Sequence, residues 1–280
     1  MNQGCSNFSV NRPLAIPHTL GVVVNCWMKA ETALRDVVKE KYHDLDEECV
    51  TTLFYGELGS VLREATQKKV VAGAFLRDLR IAFPKTQFPR ALESIATNLV
   101  AEVSLHKREK EKITGGDFGL TLVRPVLSGF DEWTKAEQGL LCQAKIKRRD
   151  GRWGQIEGNQ ERVLSDRTRD LALVLYNYSD SARQSLDAFK WQLCRDMTID
   201  EVKGCLTKGK FPSPIDSQQV IERLGNSTAG TKDQKKIREI ICPEGTPHLE
   251  LRIFWPDDKV PRAHGLQQLV GQQLNQQIQR

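Results

Sequence analysis

Apolar residues recur at helical spacing in the N-terminal third of the chain. From Trp27 to about Tyr42 they fall near every third or fourth position among charged neighbours, which predicts an amphipathic helix. A second helix is expected to begin at a cap-like residue, Asp44 or Asp46, and to run through residues 52–66. A third is expected from Pro89 to about Val103. This part of the chain is therefore predicted to be mostly helical.

The pattern changes to strand periodicity at Gly115. Residues 117–123 alternate with period two and residues 139–147 form a second apolar run, which predicts two neighbouring antiparallel strands. A helical stretch over about 155–168 and a buried-strand run at 171–176 follow, and this order implies a crossover connection. Three further elements are predicted: a short helix near 199–206, a strand over 248–255 and a Gln-rich helix over 265–280.

Composition narrows the class of protein. With 280 residues, of which 39% are hydrophobic, the chain can bury a core, so intrinsic disorder is not expected. The formal charge of +5 and the pI near 8.8 permit nucleic-acid binding without requiring it. Seven scattered cysteines without a CxxC pair predict neither a disulfide framework nor a zinc site, and they favour a cytoplasmic location. No signal peptide, membrane span or membrane partner is expected.

Two short motifs carry the candidate chemistry. Gly116-Asp117 opens the first predicted strand, and Gln143-Ala144-Lys145 lies within the second. Because side chains alternate along a strand, Gln143 and Lys145 share one face, and Asp117 can meet them in a hairpin. A carboxylate and an amide oxygen are hard ligands for Mg²⁺, and an ammonium group offsets charge in phosphodiester hydrolysis. Alternatively, Asp117 caps a turn, Gln143 bonds within the sheet and Lys145 lies at its rim.

These residues resemble the PD-(D/E)xK, or restriction-endonuclease-like, nuclease superfamily, in the QxK variant of its Mrr-like branch. The resemblance covers about residues 88–178 and implies an α/β fold: a mixed β-sheet flanked by helices, here with a helical N-terminal extension. It further implies that Asp117 and Gln143 bind Mg²⁺, for which Mn²⁺ substitutes, and that Lys145 handles the attacking water. DNA is the expected substrate over RNA, in a role such as bacterial defence or restriction.

The family also places a carboxylate on the first helix of its core. Glu93 lies on the helix that leads to the Asp117 strand and fits that place best. Glu57 is its rival because it lies within an apolar helix face beside a glycine, and Glu102 and Glu111 remain alternatives. For each of them, a solvated helix carboxylate is the competing interpretation. The family further suggests an assisting glutamine on the next helix, at Gln155 or Gln160.

A basic cluster directly follows the Q-A-K motif and is interpreted as a phosphate-binding surface beside the metal site. A solvated hairpin turn is the alternative. The cluster consists of Lys147, Arg148, Arg149 and Arg152, followed by Trp153 as a candidate for stacking on a base.

The sequence therefore predicts a Mg²⁺-dependent endonuclease, with nucleic acid as its partner and with a second copy or a partner protein as a further expectation. Residues 1–87 are assigned to an N-terminal arm and helical extension, residues 88–195 to the nuclease core and residues 196–280 to a C-terminal extension on that core. A catalytically inactive module of the same fold that binds nucleic acid or protein is the alternative, because Gln in place of an acid weakens a metal site.

Overall fold

The computed structural model describes nine segments of the chain: residues 14–41, 45–83, 89–106, 116–127, 133–148, 150–156, 158–178, 186–241 and 248–256. Their helices are α1 (Pro17–Lys41), α2 (Glu47–Gln67), α3 (Val70–Ala82), α4 (Pro89–Ala96), α5 (Asn159–Leu164), α6 (Ile199–Lys208) and α7 (Ser217–Gly225), with short helical turns at Thr168–Asp170, Gln234–Lys236 and Ile237–Ile241. The strands are β1 (Val100–His106), β2 (Phe118–Leu127), β3 (Trp133–Ile146), β4 (Leu171–Tyr176), β5 (Lys190–Leu193), β6 (Ile215–Asp216) and β7 (His248–Phe254).

The described strands form one mixed sheet flanked by helices. Its order is β1-β7-β2-β3-β4-β5-β6. The β2–β7 and β3–β4 pairs are parallel and the other neighbouring pairs are antiparallel. The predicted hairpin of β2 and β3 and the crossover from β3 to β4 are thus confirmed. The C-terminal strand β7 also belongs to the sheet and lies between β1 and β2.

The first helix begins ten residues earlier than the hydrophobic pattern indicated, at Pro17 instead of Trp27. Proline suits the first helical position because that residue needs no hydrogen-bonded amide. Asp78 of α3, itself buried, accepts hydrogen bonds from the amides of His18 and Thr19 at 2.9 Å each. A carboxylate supplied by a distant helix therefore caps α1, and the local sequence gives no sign of it.

The second helix begins where the capping signal placed it. Asp46 is the N-cap and accepts a hydrogen bond from the amide of Cys49 at 2.8 Å, so the helix starts at Glu47. Its buried stripe packs against α1 and against the sheet. This stripe comprises Val50, Phe54, Leu58, Leu62 and Ala65.

Several predicted boundaries are wrong. The third predicted helix ends at Ala96, and residues 100–106 form strand β1 instead. Strand β1 pairs with β7, in which Arg252, 150 positions along the chain, lies opposite Glu102. The helical stretch over 155–168 is confined to α5. Helices α3 and α7 were not predicted. The segments 1–13 and 265–280 lie outside the described residues.

The sheet separates two hydrophobic clusters. Cys142, Ala144 and Ile146 of β3 belong to the larger cluster, which α1, α2 and α4 cover. Neighbouring Leu141 belongs to the smaller cluster on the other face, together with residues of α5 and α6. Gln143 therefore lies on the face of the smaller cluster, as the strand alternation predicted. No described helix combines the length and apolar character that crossing a membrane requires.

Candidate functional site

Asp117 and Gln143 meet where β2 begins and β3 ends. The first residue of β2, Phe118, pairs with Cys142, so Asp117 directly precedes the paired region. The Asp117 Oδ2 atom accepts hydrogen bonds from Gln143 Nε2 at 2.5 Å and from the amide of Ala144 at 2.7 Å. The predicted meeting of Asp117 with the Q-A-K strand is confirmed.

A second carboxylate, Glu47, lies against the same edge of β3. Beyond Cys142 none of the seven strands pairs with this edge within the described residues, and the amides of Ala144 and Ile146 both point to it. Asp117 accepts from the first amide, and Glu47 Oε1 accepts from the second at 3.1 Å. Further along, the amide of Gly154 donates to the carbonyl oxygen of Ile146 at 3.3 Å. Two carboxylates thus take the place of a neighbouring strand, on amides about 7 Å apart.

The fold fixes Glu47 in this place through the start of α2. Glu47 is the first residue after the N-cap Asp46, where the helix dipole stabilises a negative charge. A Cβ atom built on Gly154 would lie 3.4 Å from Glu47 Oε1 and 3.5 Å from Lys145 Cδ. The Glu47 carboxylate and the stem of Lys145 therefore border the same small volume, in which Gly154 leaves room.

Gly116 lets the Asp117 backbone approach β3 closely. A Cβ atom at this position would lie 2.5 Å from Leu141 Cδ1 and 3.0 Å from the carbonyl oxygen of Cys142. The amide of Asp117 donates to that same carbonyl at 2.9 Å. A glycine before the aspartate is therefore a steric requirement of this contact.

Lys145 is buried, with 6% of its surface exposed, and does not lie at a solvated rim. Its Nζ atom donates to the carbonyl oxygen of Gln155 at 3.2 Å. The side chain of Gln155 is itself held, since its Oε1 accepts from Thr207 Oγ1 of α6 at 3.2 Å. Through Thr207, helix α6 thus helps to position Gln155, whose carbonyl oxygen orients the Lys145 ammonium group.

The oxygen atoms of this site suit a hard divalent cation. Gln143 is 1% exposed, and because its Nε2 faces the Asp117 carboxylate, its Oε1 points elsewhere and has no hydrogen-bond partner among the described residues. Carboxylate and amide oxygens are the donor types that Mg²⁺ prefers, but the Gln143 Oε1 atom is turned away from Asp117, and the amides that hold the two carboxylates lie about 7 Å apart. No group of three or more His, Cys, Asp or Glu side chains is placed to hold a metal in the described ranges, and the third donor here is an amide.

The carboxylates that the sequence favoured lie elsewhere. Glu93 is exposed on α4 and forms an ion pair with Arg80 at 3.1 Å. Glu57 lies ten positions beyond Glu47 on α2, about 15 Å along the helix axis. Glu102 is on β1, three strands from β3, and its partner is Arg252 at 3.4 Å. Neither Glu93 nor Glu102 joins the site, and Glu111 lies outside the described residues.

Glu47 is the site residue that sequence reasoning missed. The capping signal at Asp44 or Asp46 predicts the start of α2, but Glu47 was not among the candidate carboxylates. The resemblance to a nuclease core was aligned to the helix that contains Glu93, whereas the helix that reaches the Q-A-K strand is α2. The sequence signal that could have identified Glu47 is an acidic residue in the first turn of a predicted helix.

The basic cluster forms a tight turn directly after β3. Gly151 adopts a positive φ of 81°, and the amide of Arg148 donates to the carbonyl of Arg152 at 2.6 Å. Both arginines are exposed, and Lys147 is partly buried. Arg149 lies outside the described residues. The turn places cationic side chains within a few residues of Lys145.

Trp153, in contrast, anchors the turn instead of facing solvent. It is 8% exposed, and its ring packs edge-on against Phe211 with the centroids 5.5 Å apart. This position gives the ring no free face on which a base could stack, so we leave Trp153 out of the nucleic-acid surface. Burial of an aromatic ring in the smaller cluster explains why the residue is there.

One hydroxyl near the site stays neutral. Tyr176 of β4 is buried, which raises the pKa of its phenol, and the nearby charge of Asp117 adds to this rise. The hydroxyl forms a hydrogen bond with Thr51 Oγ1 of α2 at 2.9 Å. Tyr176 therefore ties α2 to the sheet and cannot serve as a base at neutral pH.

The chain matches no protein-family model and no curated protein. The case for its function rests on the geometry of this site.

Proposed function

We propose that this protein is a metal-dependent nuclease that hydrolyses phosphodiester bonds in nucleic acid, with a restriction-endonuclease-like core. One observation supports the proposal most directly. The carboxylates of Asp117 and Glu47 accept hydrogen bonds from two amides on one edge of β3, the strand that contains Gln143 and Lys145. If the role were only structural, the backbone carbonyl oxygens of a neighbouring strand would be sufficient acceptors for those two amides. Two carboxylates beside a buried lysine supply what phosphodiester hydrolysis requires.

The order of elements supports the same core. The core of the PD-(D/E)xK superfamily runs helix, three strands, helix, strand. This chain has the same order in α2, then β1, β2 and β3, then α5 and β4, although α3 and α4 interrupt it. The position of β7 between β1 and β2 is a departure, and we regard it as an addition to the core.

Asp117, Glu47 and the Oε1 atom of Gln143 are the groups that would hold Mg²⁺ or Mn²⁺. When bound, such an ion polarises the scissile phosphate and lowers the pKa of water. The amide hydrogen bonds fix both carboxylates in advance, so little reorganisation is needed on binding. Gln143 contributes no charge, which leaves the site with one negative charge less than a three-carboxylate centre.

Lys145 is the residue we assign to charge stabilisation. Its ammonium group, directed by the Gln155 carbonyl, would donate to a phosphate oxygen and offset the charge that grows in the pentavalent transition state. Burial strengthens this interaction because little water screens it. The same group would orient the attacking water by donating to its oxygen, so that a lone pair faces phosphorus.

The exposed side chains of Arg148 and Arg152, together with Lys147, are proposed to bind the phosphates that flank the scissile bond. Contacts to backbone phosphates depend on charge and not on the base sequence, so they contribute affinity without base preference. DNA in preference to RNA remains part of the proposal through the family resemblance.

A second function, binding of nucleic acid or protein without catalysis, is favoured by one observation. Gln143 and Lys145 are 1% and 6% exposed, so the two motif side chains present little surface to a substrate. A module that kept the fold and lost the reaction would keep these groups as internal hydrogen-bonding residues.

The proposal is tested by assaying the full-length protein on plasmid, single-stranded DNA and RNA with Mg²⁺, with Mn²⁺ and with EDTA. Calorimetry with Mg²⁺ and Mn²⁺ alone measures binding in the same preparation. Asp117→Asn should abolish cleavage and weaken metal binding, since it removes one of two carboxylates. Asp166→Asn, at an exposed position beyond α5, is the matched control and should change neither. No cleavage at all would favour the binding module, and metal-independent cleavage would contradict the proposed metal site.

A further inference from the structure

A groove of about 670 Å³ lies between α1 and α2. Residues of α1 from 22 to 36 and of α2 from 61 to 68 line it, together with Val70, the first residue of α3. Val61 is 14 positions from Glu47 on α2, which corresponds to about 21 Å along the helix axis. The groove is therefore separate from the candidate nuclease site, and the inference below does not depend on the proposed function.

The α1 wall of the groove is one continuous helix face. Its residues follow one another at intervals of three or four positions, which place them on the same side of the helix. They are Val22, Cys26, Lys29, Ala33 and Asp36. The face extends for about 21 Å from the first of these residues to the last. An elongated surface of this kind suits another helix packed along it.

Apolar side chains in this groove are accessible. Val22, Met28 and Val61 line it and are only partly buried, and Val70 is 45% exposed. Removing apolar surface from water is favourable, so these side chains favour an apolar occupant.

The charges that line the groove balance one another. They belong to Lys29, Lys68, Asp36 and Glu64. Lys68 Nζ is paired with Glu64 Oε1 at 2.5 Å. A cationic surface would attract a nucleic acid or an acidic peptide, and a groove without net charge does not. An occupant with an apolar ridge and uncharged polar flanks fits it best.

The C-terminal segment 265–280, which lies outside the described residues, has this character in its sequence. Apolar residues recur at every fourth position, a spacing that forms a ridge on a helix: Leu266, Val270, Leu274 and Ile278. From Leu266 to Ile278 a helix is about 18 Å long, close to the length of the α1 face. Apart from Arg280, the polar residues of the segment are glutamine and asparagine.

The described chain ends near enough for this segment to reach the groove. Pro256 lines a second depression together with Ser60 and Arg63 of α2, at the level of residues 61–68 but on another flank of that helix. Residues 257–264 connect Pro256 to the segment and span up to about 27 Å when extended. Because a helix is about 10–12 Å across, this length is sufficient to pass around α2.

We propose that residues 265–280 dock as a helix in the groove between α1 and α2 of the same chain, with the ridge from Leu266 to Ile278 directed into it. The docked ridge would remove Val22, Met28 and Val70 from water. The glutamine side chains beside the ridge would bind the lysines and acids of the groove, because an amide both donates and accepts hydrogen bonds.

Hydrogen exchange of the full-length protein, followed by mass spectrometry, tests this docking. In the wild type, the amides of residues 265–280 should exchange slowly, because the segment must open before they exchange. Val270→Asp/Leu274→Asp places charges on the ridge and should speed this exchange about tenfold or more. Gln272→Asp/Gln276→Asp adds the same charges outside the ridge and should change it by less than about twofold. Fast exchange of the segment in the wild type would overturn the proposal.

Two variants of α3 locate the site. Val70→Glu brings a charge to the groove wall, and it should fold because the first turn of a helix accommodates an acid. It should speed the exchange of residues 265–280 about threefold or more. Ile81→Glu, at a position 63% exposed near the other end of α3, is the matched control and should leave the exchange unchanged. Exchange that does not respond to Val70→Glu would place the segment elsewhere and contradict the proposal.

Dilution distinguishes docking within one chain from docking on a second copy. Docking within the chain does not depend on protein concentration, so the exchange of residues 265–280 should be the same in dilute and in concentrated protein. Exchange that becomes faster on dilution would assign the segment to the groove of a second copy and overturn the proposal.

Discussion

Asp117 and Glu47, which come from distant parts of the chain, bind the amides of Ala144 and Ile146 on one edge of β3. In the β2–β3 register, these amides would be paired if β2 began four residues earlier. The β2–β3 pairing begins at Phe118 and Cys142, where the amide of Asp117 donates to the Cys142 carbonyl. The edge of β3 beyond Cys142 is therefore left for the two carboxylates. The end of one strand thus creates the place in which both acids are held.

Glu47→Gln should lower metal-dependent cleavage by about 10²-fold, because it removes one of the two carboxylates proposed to bind the metal. The amide oxygen of Gln still accepts from Ile146, so the thermal unfolding temperature should change little. Glu93→Gln is the matched control and should retain activity within about twofold, a change too small to reflect a lost transition-state contact. Cleavage rates at saturating nucleic acid measure both. A loss of activity in Glu93→Gln with none in Glu47→Gln would instead assign the role to Glu93, the carboxylate that the sequence favoured.

The sequence predicted those parts of the fold whose signals are local. Asp46, one of the two residues expected to cap α2, is its N-cap, and β4 occupies the residues of the apolar run at 171–176. Glu47 was missed because its role depends on α2 reaching β3 across the sheet, and no short-range pattern encodes that contact. Strand β1 was mistaken for helix since its β-structure depends on β7, which lies near the other end of the chain.

Gly116→Ala should destabilise the protein by about 1–3 kcal/mol, since the new methyl group would force Leu141 and the β3 backbone apart. It should also lower cleavage, because Asp117 would move with its neighbour. Gly56→Ala is the control: nothing lies within 4 Å of the new Cβ, and alanine in a helix interior should stabilise by about 1 kcal/mol. Urea unfolding measures both effects. Equal stability of the Gly116 variant and the wild type would show that the close approach is unimportant.

Replacing Arg148 and Arg152 together by glutamine should lower the slope of log affinity against log salt by about 2, at close to 0.9 per lost contact on duplex DNA. The rate at saturating DNA should fall far less than the affinity. Fluorescence anisotropy at several salt concentrations measures the slope. The Arg77→Gln/Arg90→Gln pair removes the same charge from α3 and α4 and should leave the slope unchanged. Similar slopes for both pairs would identify the turn as an ordinary solvated turn.

A buried carboxylate outside the site makes stability depend on pH. Glu31 of α1 is 1% exposed and accepts hydrogen bonds from Trp27 Nε1 at 2.8 Å, from Ser217 Oγ and from the amide of Phe189 at 3.3 Å. Burial raises its pKa above the ordinary value of 4.5, and the hydrogen bonds oppose this only in part. The folded state therefore binds the proton more tightly than the unfolded chain does.

The contribution of Glu31 to stability is thus complete below pH 4.5 and is lost as the pH rises through the folded-state pKa. The free energy of unfolding of the wild type minus that of Glu31→Gln should fall as the pH rises from 4.5 to 7. Glu201, whose pKa the amide and hydroxyl of Thr198 lower, provides a control of opposite sign. The same difference for Glu201→Gln should fall as the pH is lowered. A difference for Glu31 that rises with pH would contradict the argument.

In the proposed function, the buried Lys145 of the Q-A-K strand performs chemistry beside two carboxylates. Lys145→Met keeps most of the stem that packs beside Gly154 and removes the ammonium group, so it separates catalysis from packing. Cleavage of plasmid and single-stranded substrates in Mg²⁺, at matched thermal stability and matched nucleic-acid affinity, is the decisive measurement. We predict metal-dependent cleavage by the wild type and a loss of at least 10²-fold in the variant. Full activity of Lys145→Met, or a wild type that binds nucleic acid without cleaving it, would contradict the assignment.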